Sequence, residues 1–225
     1  MLVAGGLRFN RYPFDYVVSF ILNNFGNTAD RSLIRILDLG CGGGNHTAFL
    51  AQEGFDVSAV DGSAKSIEIT RQFTAGKCDP KKIIQAEFTH LPFPDGYFSC
   101  VVDRHSLGHN ETGILNIVID EIYRVLQPGK GIYLGMVFSA NHPHRCFGKF
   151  RLENSLNDMH EFKLGNFKQS GIVHFFTIQE IIERFHRFTI EDVIMNSTRS
   201  LFGASDSPDN AETFTIKAKR PGLTS

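Results

Sequence analysis

The sequence lacks the features that mark membrane, secreted and nucleic-acid-binding proteins. No apolar run approaches the ~18 residues that a membrane span requires. The four cysteines form no C-x-x-C pair and lie far apart, which suits a reducing compartment. The formal net charge is -1, so no global basic field attracts nucleic acid. Residues 1–7 have no charged lead of the signal-peptide type. We therefore expect a cytoplasmic protein with neither a membrane nor a nucleic-acid partner.

Two catalytic signatures are also missing. No G-x-S-x-G elbow is present, so the sequence does not support Ser-His-Asp hydrolysis. Zinc sites favour closely spaced ligands, whereas His142, His144, His160 and His174 are scattered without supporting cysteines. We therefore predict no metal site.

What is present is a glycine-rich loop that follows a short apolar stretch. Residues 36–39 predict a strand that is buried on both faces, and glycine occupies positions 40, 42, 43 and 44. Such a backbone turns sharply and lets a ligand touch main-chain atoms. Residues 45–53 predict a helix whose free N–H groups point back at the loop, with Gly54 ending it. This order is typical of a mononucleotide-binding strand, loop and helix.

The spacing of the glycines distinguishes between nucleotides. A dinucleotide fingerprint, G-x-G-x-x-G, would need a third glycine at the position of Asn45. The chain instead has an acid two places before the first glycine of a G-x-G-x-G run. This pattern resembles the first motif of the class I S-adenosylmethionine-dependent methyltransferases, and the resemblance extends over about residues 34–138. It implies that S-adenosyl-L-methionine is the cofactor and that its amino acid end is held by Asp38, Gly40, Cys41, Gly42 and Gly44.

A second acid follows the next predicted strand. Residues 55–61 predict a strand that ends at Asp61, which lies 21 residues after Gly40. A spacing of about 20 residues places a carboxylate at the ribose in Rossmann units, where it accepts from both hydroxyls. We predict that Asp61 and Gly62 contact the cofactor. The alternative is that Asp61 is an ordinary turn residue.

The third sign is the run Leu91-Pro-Phe-Pro-Asp95. Methyltransferases that this chain resembles often carry an acid, a few residues earlier, that binds the adenine amine. Glu87 stands at that place, and Phe88 follows where a backbone N–H would meet the adenine ring. Glu87 departs from the usual Asp, and its extra methylene changes the reach of the carboxylate.

The fourth predicted strand, residues 98–103, leads into a loop with two histidines. The carboxyl end of this strand should lie at the ligand-facing edge of the sheet. We predict Asp103 as a cofactor contact, although it could equally finish the strand. His105 and His109 are the leading candidates for a catalytic base, because imidazole titrates near neutral pH. Their alternative role is packing or hydrogen bonding.

Two flanking segments are predicted to close the site. Apolar positions between residues 14 and 25 predict a helix, preceded by an aromatic-basic arm, and we interpret residues 1–30 as a helical lid with Tyr12 as a cofactor contact. The alternative is that Tyr12 merely packs the helix start.

Residues 139–176 have weak periodicity, and we interpret them as an inserted substrate cap. Within residues 141–151 fall three fixed positive charges and two histidines, which favour an acidic acceptor bound by His142, His144 and Arg145. A solvated surface loop is the alternative.

These parts predict one α/β domain over residues 1–225. Residues 188–198 and 212–219 alternate as strands around a turn-rich segment. The fold should therefore be a Rossmann-like, seven-stranded, mostly parallel sheet with a terminal antiparallel strand and helices on both faces.

The predicted function is methyl transfer from S-adenosylmethionine to oxygen or nitrogen of a small-molecule acceptor, such as a sugar or an acidic metabolite. Three alternatives stay open: a non-catalytic S-adenosylmethionine-binding protein, a protein or RNA methyltransferase, and a nicotinamide-dependent oxidoreductase. The sequence leaves the oligomeric state open.

Overall fold

A central β-sheet with helices packed on it is seen in a computed structural model that describes residues 2–4, 7–152, 155–168, 170–204, 207 and 209–222. The elements in chain order are β1 (Leu2–Ala4), β2 (Leu7–Phe9), α1 (Asp15–Phe25), β3 (Arg35–Leu39), α2 (Asn45–Gln52), β4 (Asp56–Asp61), α3 (Ala64–Phe73), β5 (Ile83–Gln85), β6 (Cys100–Arg104), α4 (Thr112–Val125), β7 (Ile132–Phe138), β8 (Lys149–Leu152), β9 (Ser155–His160), β10 (Val173–His174), α5 (Ile178–Arg184), β11 (Thr189–Thr198) and β12 (Ala211–Lys219).

The central sheet has the strand order β11-β12-β7-β6-β3-β4-β5. Strands β3 to β7 pair in parallel, while β12 pairs antiparallel with both β7 and β11. This arrangement confirms the predicted fold class. Because the carboxyl ends of parallel strands meet at one edge, the segments after Leu39, Asp61 and Arg104 lie together there.

The sheet is buried between two apolar layers because successive side chains of each strand point to opposite faces. On β3, Ile36 packs with α1 and α2, whereas Leu37 packs with α4 and α5. Both side chains are fully buried. Helix α1 belongs to this core through Val17 and Ile21. Helix α1, which is part of the predicted lid at residues 1–30, therefore packs on the sheet. The prediction of a cofactor lid now applies to the arm before α1.

Side chains cap the starts of α3 and α5, whereas α4 begins without such a cap. The Ser63 side chain accepts from the Ser66 N–H, and the Thr177 side chain accepts from the Glu180 N–H, as N-caps do. Thr112 is the first helical residue of α4 and does not cap it. Its hydroxyl donates instead to Asp158 at 2.9 Å, which ties α4 to β9.

The segment 139–176 folds into a small unit of its own. Strands β10, β9 and β8 form an antiparallel sheet in that order. An apolar cluster lies on this sheet and includes Met159, Phe162, Phe167 and Phe175. The alternative of a solvated surface loop is therefore wrong. The strands have two to six residues, which is why the sequence shows little periodicity there.

None of the described helices is both long enough and apolar enough to cross a membrane.

Candidate cofactor and active site

The glycine loop between β3 and α2 uses left-handed backbone at three positions. Gly40, Gly42 and Gly44 have φ of 74°, 54° and 78°. A Cβ on Gly40 would lie 1.8 Å from the Ser106 hydroxyl, and one on Gly44 would lie 2.9 Å from the Thr70 methyl. At Gly42, no atom lies within 4 Å of the Cβ position. The outer two glycines therefore let the loop pack against the protein, while Gly42 faces open space where a ligand can reach the main chain.

The carboxylate at the end of β4 lies against this loop. The Gly42 N–H donates to Asp61 Oδ2 at 2.9 Å, and the Ser63 N–H donates to Oδ1 at 2.8 Å. An ionised carboxylate offers about four acceptor positions, so each oxygen of Asp61 keeps one. The structure thus brings Asp61 and the exposed stretch of the loop together, and it leaves acceptor capacity beside Gly42.

Asp38, the acid of the glycine motif, lies beneath the loop. It is buried, and it accepts from the Thr47 hydroxyl at 2.6 Å. Burial raises its pKa to about 6, although the Thr47 hydrogen bonds act against this shift. Asp38 therefore joins β3 to α2 and holds the loop in place. Its contact to the amino acid end of the cofactor stays a prediction.

The buried Cys41 also helps to hold the glycine loop in place. Its N–H and that of Gly40 donate to the Val60 carbonyl at 3.0 and 2.8 Å. Burial raises the pKa of the Cys41 thiol, so this cysteine is not an activated nucleophile.

The predicted adenine-side residues lie on the neighbouring part of the edge. Glu87 is exposed, while Phe88 is half-buried, and its ring edge lies 3.5 Å from the Cβ position of Gly40. Gly62 faces open space, and its carbonyl accepts from the Gln85 side chain at 3.0 Å. These positions flank the glycine loop as the resemblance implies, and their cofactor contacts stay predictions.

Asp103 shapes the loop after β6. It is buried, and it accepts from the Ser106 N–H at 2.7 Å, from the Leu107 N–H at 3.2 Å and from the Tyr133 hydroxyl at 3.1 Å. Burial raises its pKa to about 7 despite these hydrogen bonds. The Ser106 hydroxyl in turn donates to the Leu39 carbonyl at 3.0 Å. The geometry therefore favours a positioning role for Asp103, with Ser106 linking this loop to the glycine loop.

His105 is held in an unusual conformation at this edge. Its φ is 69°, which is uncommon for a residue other than glycine and is often found at functional sites. The ring stacks on Phe138 with 4.3 Å between centroids and 5° between planes. Its Nδ1 is buried, and no described residue forms a hydrogen bond with it. Burial, followed by the nearby Arg104, holds the pKa of His105 well below its ordinary value, so the ring is neutral at pH 7.

Three of the predicted histidines converge on Phe138. Besides His105, the rings of His109 and His142 lie 6.0 and 5.8 Å from that ring, centroid to centroid. His109 donates from Nδ1 to the Ile172 carbonyl at 3.3 Å, which leaves its Nε2 as an acceptor when the ring is neutral. The inserted segment therefore contacts the loop that carries both base candidates.

The predicted cationic cluster of the insertion is not a cationic surface. His142 and His144 are both buried. Burial lowers the pKa of His142 to about 4, and its Nδ1 accepts from the His144 N–H at 3.1 Å. Arg145 donates to the Ala140 carbonyl at 3.1 Å and to Asn157 at 3.4 Å. These side chains therefore hold the insertion together, the two histidines are buried and not cationic groups on the surface, and a contact of His142, His144 or Arg145 to an acceptor stays a prediction.

Tyr12 lies on the surface, with 72% of its area exposed. Its carbonyl accepts from the Asn45 side chain at 2.8 Å, so the arm is attached where α2 begins. The alternative that Tyr12 packs the helix start is not what the structure shows, and its contact to the cofactor stays a prediction.

Sequence reasoning missed a group of residues beside His105. The guanidinium carbon of Arg104 lies 3.4 Å from the ring centroid of Phe14, and the Phe14 N–H donates to His46 Nε2 at 3.4 Å. A cavity of about 480 Å³ is lined by Phe14, Arg104, His105 and Met136, together with residues of β11 and β12. The available signal was that Arg104 ends a strand at the ligand-facing edge. In the part of the chain that the structure describes, no cluster of three or more side chains is arranged to hold a metal ion.

Comparison with known proteins agrees with this geometry. Residues 36–129 match the family model of a methyltransferase domain. A demethylmenaquinone methyltransferase from Clavibacter sepedonicus is 37% identical over 105 residues, which are 44% of this chain and 40% of the relative. A ubiquinone/menaquinone biosynthesis C-methyltransferase from Pectobacterium carotovorum is 34% identical over 110 residues, which are 47% of this chain and 43% of the relative. The chain thus spans less than half the length of these two relatives.

The fold comparison covers more of the chain. A solved S-adenosylmethionine-dependent methyltransferase from Methanosarcina mazei superposes with a TM-score of 0.66 at 20% identity, over 84% of this chain and 93% of that one. Identity at this level shows the fold alone. The strand order, the glycine motif and the methyltransferase domain matched over residues 36–129 all agree with the predicted resemblance to the class I S-adenosylmethionine-dependent methyltransferases.

Proposed function

We propose that this chain transfers a methyl group from S-adenosylmethionine to oxygen or nitrogen of a small acidic molecule. The observation that carries the proposal is the open main chain at Gly42 beside the spare acceptor positions of Asp61, at the sheet edge that also carries His105. The reaction is expected in the cytoplasm, without a nucleic-acid or membrane partner.

The residues present fit the cofactor. Gly42 has room for a ligand against its backbone, and Asp61 keeps acceptor capacity for a ribose diol. Glu87 and Phe88 flank the loop on the side predicted for adenine. S-adenosylmethionine, when bound, supplies a methyl group that is already activated on a sulfonium.

The protein then has two tasks, which are holding the acceptor in line and removing its proton. A cavity of about 480 Å³ beside His105 provides the room for an acceptor. Holding two reactants in the right geometry supplies much of the rate in such reactions. His105 is neutral at pH 7 and can accept a proton from an acceptor hydroxyl or ammonium group, and its lowered pKa makes it a weaker base than an ordinary imidazole. We assign it the role of general base, with His109 as the second candidate.

A second candidate acceptor atom is a ring carbon. Two relatives of this chain are named as methyltransferases of menaquinone or ubiquinone biosynthesis, one of them a C-methyltransferase. The cavity walls include the apolar Phe14 and Met136, which suit an aromatic ring. Activation of a ring carbon next to a phenol would still begin with deprotonation of the hydroxyl, so His105 would keep its role.

The test combines cofactor binding with product analysis. Calorimetry should show binding of S-adenosylhomocysteine and no binding of NADH. Incubation with methyl-labelled cofactor and a metabolite extract should yield a labelled small molecule whose bond to the label identifies the acceptor atom. Binding without any labelled product contradicts the enzyme assignment and supports a binding-only protein. Label found only in protein or RNA supports the macromolecular alternative, and NADH binding alone supports an oxidoreductase.

A further inference from the structure

Among the described residues, no carboxylate forms an ion pair with the side chain of Arg104. The residue is half-buried, its Nε is buried with no hydrogen-bond partner in the described part of the chain, and its guanidinium lies over the ring of Phe14. Within the described part of the chain, no carboxylate forms an ion pair with it, and burial alone accounts for a pKa lowered to about 10. Arg104 therefore carries its charge at pH 7 in a partly desolvated place. Buried cations in proteins are normally paired.

The place of Arg104 in the fold explains what could pair with it. It lines the cavity of about 480 Å³ next to His105, at the carboxyl end of β6. The guanidinium lies over the ring of Phe14, and a guanidinium in such a contact can still donate from its two terminal nitrogens to a planar anion. Asp15 also borders the cavity, but it is exposed and forms no ion pair with Arg104. A negatively charged group that pairs with Arg104 can thus reach it from inside the cavity.

We propose that Arg104 binds a carboxylate of the methyl acceptor by a two-point ion pair within this cavity. The inference rests on the proposed function, because it places the acceptor there. The guanidinium fork matches the two oxygens of a carboxylate. Phe14 and Met136 supply apolar walls for the rest of the molecule, so the substrate class is a small aromatic acid. This replaces the cationic cluster of the insertion as the source of acid recognition.

The amino acid end of the cofactor also carries a carboxylate, and the experiment must separate the two sources. The probes are benzoate against benzamide and 4-hydroxybenzoate against 4-hydroxybenzamide, titrated calorimetrically into the protein with and without S-adenosylhomocysteine. The wild type should bind each acid at least about tenfold more tightly than its amide, as expected for a charge-assisted pair. Arg104→Gln should abolish that preference, and Arg104→Lys should retain part of it. The affinity for S-adenosylhomocysteine should change by less than about twofold in both variants.

Three results would overturn the inference. The first is a wild type that shows no preference for the acid in either pair. The second is an Arg104→Gln variant that keeps the preference. The third is an Arg104→Gln variant that loses about tenfold in affinity for S-adenosylhomocysteine while its affinity for 5′-methylthioadenosine, which lacks the amino acid, is unchanged. A wild type that binds no S-adenosylhomocysteine contradicts the proposed function instead, and the acid preference of the protein alone still tests Arg104. Thermal melts of both variants report whether they fold.

Discussion

Histidine and arginine side chains occur both at the carboxyl ends of the parallel strands and in the inserted segment, but their bonding partners differ between the two regions. At the edge, His105 leaves a buried nitrogen without a partner, Arg104 leaves a cation without an anion, and Gly42 leaves its backbone open. In the insertion, His142 bonds to the chain beside it, and His174 bonds to two carboxylates. Unfilled bonding capacity alone does not mark the sheet edge, because His144 Nε2 in the insertion is also buried with no hydrogen-bond partner among the described residues; at the edge, His105 and Arg104 also border a cavity.

The physical reason for the difference is what surrounds each group. In the insertion, His142 lies against Phe138, Phe167 and Phe175, and most polar atoms buried in such a core are hydrogen-bonded. At the sheet edge, the chain leaves β6 through a strained residue, and its side chains face a cavity. Free energy invested in such a conformation is typical of sites that must bind something else.

The largest predicted effect is the loss of activity on substitution of His105 at the sheet edge. His105→Asn tolerates the left-handed backbone and removes the base. We expect kcat for the labelled product to fall by about 10²- to 10⁴-fold, because general base catalysis is lost. Steady-state kinetics measure this, with calorimetry to show that cofactor affinity is kept. His186→Asn, at an exposed histidine, is the control. A kcat that stays within about threefold of the wild type would remove His105 from the mechanism.

His174 tests the other side of the comparison. Its ring lies 2.5 Å from Asp158 and 2.9 Å from Glu180. His174→Ala leaves these carboxylates without that partner, and breaking such a buried pair typically costs about 3–5 kcal/mol in the free energy of unfolding. Urea denaturation measures this cost, with His186→Ala as the matched control. A cost below about 1 kcal/mol would mean that His174 does not hold the insertion.

The pH dependence of stability separates the structural histidines from the site. Since the pKa of His142 is about 4 in the folded chain and near 6.5 in the unfolded chain, unfolding takes up a proton between these values. His142 thus supports the fold fully above pH 6.5, and this support falls as the pH drops through 4. His142→Asn keeps an acceptor for the His144 N–H and removes the titration. We expect the wild type to lose up to about 3 kcal/mol more than the variant between pH 7 and pH 4, measured by urea denaturation.

Equal losses in the two proteins would contradict a neutral, buried His142. Asp38 and Asp103 act in the opposite direction in the wild type and in the variant alike, because their folded pKa values are raised. Their contribution to the free energy of unfolding is greatest below about pH 3.8. It is lost as the pH rises through about 6 for Asp38 and through about 7 for Asp103. The comparison between wild type and variant cancels it.

Asp61 gives the smallest of the four effects. Asp61→Ala removes the acceptor predicted for the ribose diol, and a loss of hydrogen bonds to a charged group should weaken S-adenosylhomocysteine binding by about 10- to 100-fold. The matched control is Asp79→Ala, because Asp79 makes the same kind of turn contact to the Lys81 N–H at 2.9 Å as Asp61 makes to Ser63. Calorimetry that finds the two variants equally affected, or neither affected, would place the ribose elsewhere.

The fold and the arrangement of residues at the carboxyl edge of the sheet were predictable because their signals are local. The order of strand, glycine loop and helix lies within twenty residues, and strand ends in a parallel sheet must meet at one edge. Asp61 and Gly42 were therefore placed together from the sequence, and the structure has them 2.9 Å apart. The antiparallel β12 followed from the alternation of residues 212–219.

The cavity beside His105 was not predictable because the residues that form it are distant in sequence. Phe14 and Arg104 are ninety positions apart and meet only through the fold. His142 and His144 look like surface cations until Phe167 and Phe175 cover them. An acid within a strand, such as Asp103, can face a ligand or anchor a loop, and only its burial and its partners distinguish the two.

A substitution at Gly42 tests most simply whether the open backbone of the glycine loop receives S-adenosylmethionine. Gly42→Ala places a methyl group in the space that no protein atom occupies, and Gly76→Ala adds the same left-handed strain at a site with equally open surroundings. Calorimetric titration with S-adenosylhomocysteine should show at least about tenfold weaker binding by Gly42→Ala than by the wild type, and unchanged binding by Gly76→Ala. Equal binding by the wild type and by Gly42→Ala would contradict the account.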